Sequence, residues 1–219
     1  MASVILFDVN ETLLDMSALD PHFLRAFGEA RARTEWFALL KEAWMVTIIT
    51  GEYVDFTRLA RASLDMTAQK RGTALASTHE AEIMAAMETL PAHRDAAEAL
   101  SMLREAGLRL AALSNSTLRS TETHLRHAGL AGYFEMILSV DEVQRYKPAR
   151  DAYAYAAERL GVPLAEIRLV AAHSWDIAGA AAAGCATGFV ARPGQPLNPA
   201  GTAPDVQAVD LVALAGKLV

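Results

Sequence analysis

Ser3-Val4-Ile5-Leu6-Phe7-Asp8 is the stretch that decides the fold. It is a short, continuous apolar run that stops at a carboxylate. Runs of this kind mark strands buried on both faces, the condition found in parallel sheets. The signature recurs at 108–113, 136–140, 167–172 and 187–190. Helical patterns lie between the runs, at 94–106, 119–127, 149–160 and 177–183. They are closed by Gly107, Gly129, Gly161 and Gly184. Helix, glycine, then apolar strand is the αβ half of a repeating unit. Its repetition predicts an α/β fold: a Rossmann-like, doubly wound parallel sheet.

Residues 16–90 interrupt the alternation. They are helical in pattern, and no proline falls between Pro21 and Pro91. Trp36, Phe37, Leu40, Trp44 and Ile48 recur at helical spacing, a stripe that reads as packing. The expected organisation is a core of 1–15 and 91–219 with a helical cap of 16–90 inserted after the first strand. Four of the eight prolines fall in 192–205, which predicts a surface loop.

A length of 219 residues suits one domain, or one domain with a sizeable insert. Hydrophobic residues make up 53% and charged residues 21%, which excludes a disordered chain. The net charge of −6 supplies no basic footprint for nucleic acid and no polybasic surface for anionic lipid. Cys185 is the single cysteine, so no internal disulfide forms and a reducing compartment is expected. No apolar run reaches the roughly 18 residues of a membrane span, and the first residues do not read as a signal peptide. The expectation is a cytoplasmic globular protein.

In open α/β sheets ligands bind beyond the carboxyl ends of the strands. The polar residues after each apolar run should therefore converge. They are Asp8 and Thr12; Ser114, Asn115 and Ser116; Lys147, more distantly; and His173, Ser174 and Asp176. Two carboxylates, a hydroxyl and amide cluster and a lysine at one sheet edge form a plausible active site.

Phe7-Asp8-Val9-Asn10-Glu11-Thr12-Leu13, Leu113-Ser114-Asn115, Lys147-Pro148 and Trp175-Asp176 resemble, in order, the four motifs of the haloacid dehalogenase superfamily. Within it the chain is most similar to the type II L-2-haloacid dehalogenases. The phosphatase branch has a second Asp two positions after the nucleophile, as general acid; here that position is Asn10. That branch also gathers further acids around motif four, where this chain has Asp176. Ser114-Asn115, Lys147 with Tyr153, and Trp175-Asp176 resemble the dehalogenase forms.

The resemblance implies hydrolysis of a small (S)-2-haloacid to the inverted 2-hydroxy acid, without cofactor or metal. Asp8 would attack C2 and form an ester, since a halide leaves as a stable anion and needs no general acid. Water would then attack the ester carbonyl. Thr12 and Ser114 would orient the Asp8 oxygens, Lys147 would hold Asp8 ionised, and Asp176 would activate the water. Asn115 would help receive the halide, and Asn10, Thr47, Tyr153, His173 and Trp175 would stand around the substrate. The family's cap arginine sits four residues before a Gly-x-Tyr; Gly51-Glu52-Tyr53 fits that frame and puts Thr47 at the arginine's place, while the family's serine and asparagine before Trp-Asp are matched by Ala171 and His173. A Mg²⁺-dependent phosphatase and a binding protein with little turnover are the alternatives. Type II relatives are commonly dimers, so a homodimer is compatible.

Overall fold

The computed structural model describes residues 2–219. Six parallel strands run β1 (Val4–Phe7), β2 (Arg109–Ser114), β3 (Met136–Ser139), β4 (Ile167–Ala171), β5 (Ala186–Val190) and β6 (Val206–Ala208). Their spatial order is β3-β2-β1-β4-β5-β6. β1 is central, and its four residues are all buried, as the unbroken apolar run requires. Phe7 stands in register with Ala112 on one side and Val170 on the other. The chain leaves β1 to one side for β2 and β3, and returns to the other for β4 to β6. The carboxyl end of β1 therefore lies where the strand order reverses, the place where such sheets bind ligands.

The insert contains α1 (Asp20–Phe27), α2 (Ala32–Thr50), α3 (Phe56–Lys70) and α4 (Ser77–Met87). The helices α5 (Ala96–Glu105), α6 (Leu118–His127), α7 (Arg150–Leu160), α8 (Ser174–Ala183) and α9 (Leu211–Ala215) belong to the sheet's own alternation. α2 closes at Gly51, whose φ of 79° is the left-handed end that glycine adopts freely. The expected stripe on α2 is largely core: Trp36, Phe37, Leu40 and Trp44 are buried, and the Trp36 indole donates to the Ala60 carbonyl on α3 at 2.9 Å.

Two differences from the sequence reading have physical causes. β6 is an edge strand of three partly exposed residues, so no apolar run announces it. α8 begins at Ser174 rather than 177, because the His173 carbonyl accepts the amides of Asp176 and Ile177, both at 3.1 Å. Asp176 is thereby carried in the first helical turn. Among the described residues no helix is long and apolar enough to cross a membrane.

Candidate active site

Asp8 leaves the end of β1 with its amide bonded to the Val170 carbonyl of β4 at 3.0 Å. The next residues turn sharply. Leu13 and Leu14 both donate to the Val9 carbonyl, and Glu11 takes a φ of 63°, left-handed for a residue with a side chain. Arg33 from α2 reaches the Glu11 carboxylate at 3.0 Å and Asp20 at 2.6 Å, holding this turn to the insert. The turn returns Thr12 beneath Asp8. Its hydroxyl donates to Asp8 Oδ2 at 2.7 Å and accepts the Ala172 amide at 2.9 Å.

Lys147, fully buried, binds two carboxylates. Its Nζ is 2.8 Å from Asp8 Oδ1 and 2.7 Å from Asp176 Oδ2. Asp176 Oδ1 accepts the Tyr153 hydroxyl at 2.6 Å. Burial alone would raise the Asp8 carboxyl, but Lys147 and the bond from His173 hold it well below the ordinary carboxylate value. Asp176 moves the other way. Burial and the charge of Asp8 outweigh Lys147 and Tyr153, and its carboxyl is raised. Burial works against the Lys147 ammonium, yet its two carboxylates raise its pKa. Asp8, Asp176 and Lys147 thus meet as predicted, with one ammonium serving both acids.

His173 completes the group around Asp8. Its Nδ1 lies 3.2 Å from Asp8 Oδ2, and its ring stacks on Trp175 at 5.1 Å. From the insert, Phe37 approaches the same imidazole at 5.8 Å. Trp44 meets Trp175 edge to face at 5.6 Å and stacks near Tyr146 at 6.0 Å. Among the described residues, four buried polar atoms in this region have no protein partner: Asn10 Oδ1, His173 Nε2, and the indole nitrogens of Trp44 and Trp175. Buried polar groups left unpaired typically cost about 1–3 kcal/mol each. Two indole donors and an amide acceptor suit a polar ligand.

Several sequence expectations are corrected. Among the described residues Ser114 makes no hydrogen bond to Asp8; its hydroxyl accepts the Ser116 amide at 3.0 Å and shapes the turn after β2. The Asn115 side chain clamps the Lys147 peptide, donating to its carbonyl at 3.2 Å and accepting its amide at 2.9 Å. That is a positioning function, and it uses one of the two N–H groups of the Asn115 amide. The Tyr153 hydroxyl lies on Asp176. The Thr47 hydroxyl donates to the Trp44 carbonyl of its own helix at 2.8 Å, and the α2 residue that meets His173 is Phe37. Asn10 donates to the Ser116 hydroxyl at 3.3 Å, keeping its carbonyl oxygen unpartnered.

Phe37, Trp44, Tyr146 and Gly179 are the residues that sequence reasoning missed. The first two sit in a stripe whose composition is that of packing. Tyr146 precedes Lys147, and its hydroxyl donates to the Val54 carbonyl at 2.8 Å. Gly179 carried no signal beyond being a glycine inside a helix. A Cβ there would lie 2.4 Å from Pro148 Cβ and 2.7 Å from the Tyr153 hydroxyl oxygen. Only a bare Cα lets α8 approach the segment that carries Lys147.

The sequence profile of the haloacid dehalogenase-like hydrolases matches residues 2–184. The (S)-2-haloacid dehalogenase of Pseudomonas sp. (strain YL) is 30% identical over 213 residues, covering 96% of this chain and 91% of that protein. The L-2-haloacid dehalogenase of Xanthobacter autotrophicus superposes with a TM-score of 0.92 at 27% identity, over 100% of this chain and 98% of that one. A structure of that enzyme with chloropropionic acid covalently bound superposes at 0.91, with 26% identity and the same coverage. With all four motifs gathered at one sheet edge and the profile spanning most of its length, the chain belongs to the haloacid dehalogenase-like hydrolases.

Proposed function

We propose that this chain hydrolyses the carbon–halogen bond of a small (S)-2-haloacid through an ester on Asp8, giving the inverted 2-hydroxy acid. One observation carries the reading: the buried Asp8 carboxylate is held ionised by an ammonium, with Asn10 where a phosphatase would keep an acid. A nucleophile so prepared suits a leaving group that departs as an anion without protonation. The ammonium also lies between Asp8 and Asp176 and offsets part of their charge. The similar proteins named above, (S)- and L-2-haloacid dehalogenases, support the substrate class.

In this mechanism Asp8 displaces halide from C2 in line, which inverts that carbon. Asp176, with its raised carboxyl, takes the proton of the water that attacks the ester. Lys147 offsets the charge of both acids. Helices 16–90 act as a cap that brings Phe37 and Trp44 over His173 and Trp175. The indole N–H groups of Trp44 and Trp175 and the edge of His173 receive the polar ends of the substrate, and Asn10 offers its free carbonyl.

Halide release from a panel of (S)-2-haloacids, with and without EDTA, tests the reading beside phosphate release from phosphomonoesters. Release of halide that survives chelation is expected. A single turnover in H₂¹⁸O should place label in the Asp8 side chain. Phosphate release restored by Mg²⁺, with no halide release, would instead establish the phosphatase reading.

A further inference from the structure

We propose that His173 and Thr12 form the oxyanion site for ester hydrolysis, and that Asp8 attacks through Oδ1. The proposal rests on the dehalogenase reading and assigns the two oxygens of Asp8 different work. Each carboxylate oxygen accepts in about two directions. Both directions of Oδ2 are taken, by the Thr12 hydroxyl at 2.7 Å and His173 Nδ1 at 3.2 Å. Among the described residues Oδ1 receives only the Lys147 ammonium, at 2.8 Å, and keeps one direction free. The free lone pair on Oδ1 is the one that can reach a substrate carbon.

Both donors to Oδ2 are fixed. Thr12 Oγ1 accepts the Ala172 amide, so its single proton is directed at Asp8. An ionised Asp8 only accepts, so His173 Nδ1 carries the proton in their bond. The imidazole lies between Phe37 and Trp175, and its backbone caps α8. Among the described residues its Nε2 has no protein partner, so the bond to Asp8 is the one hydrogen bond of the ring, beside the packing of Phe37 and Trp175.

The steps balance on these atoms. Oδ1 bonds to C2, and the carbon–halogen bond breaks with its electron pair on the halide. Oδ2 becomes the carbonyl oxygen of the ester. Water adds to Cγ, its proton passes to Asp176, and the negative charge settles on Oδ2, already facing two donors. Collapse breaks the Cγ–Oδ1 bond. The departing alkoxide takes the proton from Asp176, and Asp8, now carrying the water oxygen, releases a proton to solvent. Preset donors at a developing oxyanion need no reorganisation, and losing one typically costs about 10²–10³ in rate.

The test separates the two half-reactions on the full-length chain with (S)-2-chloropropionate, by rapid quench and intact mass. His173→Phe keeps the stacked ring and removes the donor. It should release about one equivalent of chloride promptly, turn over about 10²–10³ more slowly, and accumulate the ester adduct. His173→Asn keeps an N–H and should hydrolyse within about tenfold of the parent, without adduct. Should His173→Phe fail to fold, Thr12→Val removes the other donor and should accumulate the same ester. Rapid turnover of the donor-less variants, or loss of the chloride burst with no adduct, overturns the inference while leaving the parent's dehalogenation intact. A parent chain inert towards every haloacid would overturn the dehalogenase reading and this inference together.

Discussion

Lys147 Nζ lies 2.8 Å from Asp8 Oδ1, and both side chains are buried. The same ammonium is 2.7 Å from Asp176, so removing it would strand two carboxylates away from water. Breaking a buried pair by deleting one partner typically costs about 3–5 kcal/mol. Lys147→Met is therefore expected to lose stability of that order in urea unfolding. Its halide release should fall by at least about 10³, because the nucleophile loses the charge that keeps it ionised. Unchanged stability would mean that the two acids share a proton rather than depend on the lysine.

The pH dependence follows from the same pair. Asp8 is lowered in the folded chain. Its contribution to stability is thus present above its ordinary carboxylate value and is lost as pH falls through the lower folded value. Lys147 is raised, so its contribution is present below the ordinary lysine value and lost as pH rises through the folded one. Asp176 is raised and opposes folding at neutral pH. In kinetics, the single-turnover halide burst should hold its rate below pH 4, the ordinary carboxylate range. In Lys147→Met burial is opposed by the bonds from His173 and Thr12 without the ammonium, and the acid limb should move to higher pH. An acid limb at the ordinary carboxylate value in the parent chain would contradict the ion pair.

Tyr153 separates positioning from binding. Its hydroxyl donates to Asp176 Oδ1 at 2.6 Å. Tyr153→Phe removes a donor from a buried carboxylate and leaves the aromatic packing. Turnover should drop about tenfold or more with KM nearly unchanged, since hydrogen bonds to charged groups are typically worth about 1.5–3 kcal/mol. A rise in KM at constant kcat would return Tyr153 to the substrate side.

Asp8, Thr12 and Asp176 were legible in the sequence because they follow apolar runs whose burial can be read from composition, and the topology carries such ends to one edge. Lys147 lies further from its run and was legible through the Lys147-Pro148 motif. Ser114, Asn115 and Tyr153 were legible as residues near Asp8 and Lys147, but the partners they hold there were not. Their partners are the Ser116 amide, the Lys147 peptide and the Asp176 carboxylate, whose directions depend on how the loops close. Phe37 and Trp44 were hidden because a residue facing the site and one facing the core have the same chemistry on one helix. The frame that pointed to Thr47 followed its distance from Gly51 and Tyr53 along the chain, whereas contact with His173 depends on where α2 crosses the sheet edge.

Thr47 and Phe37 are distinguished by paired substitutions. Thr47→Val removes a hydroxyl bonded within its own helix. It should change KM and kcat by less than about twofold, because the bond it removes lies within α2 and not at the Asp8 group. Phe37→Ala removes the ring that lies 5.8 Å from His173 and should raise KM while loosening the imidazole. Equal effects from the two would mean that α2 acts only as a scaffold.

Gly179 is the steric counterpart of the ion pair. A Cβ at this position would stand 2.4 Å from Pro148 Cβ, 2.7 Å from the Pro148 carbonyl oxygen and 2.7 Å from the Tyr153 hydroxyl. Two of those three atoms are on the residue directly after Lys147, and the third orients Asp176. Gly179→Ala would ordinarily favour a helix by about 1 kcal/mol. Here the contacts force α8 away from 147–153, and overpacking typically costs about 1–3 kcal/mol. A net loss of stability is expected, with a fall in turnover beyond what partial unfolding explains, because Lys147 and Asp176 are moved apart. Urea unfolding and halide release on the same samples decide it. A Gly179→Ala chain more stable than its parent, at full activity, would show that α8 relaxes freely and that the close approach is not needed.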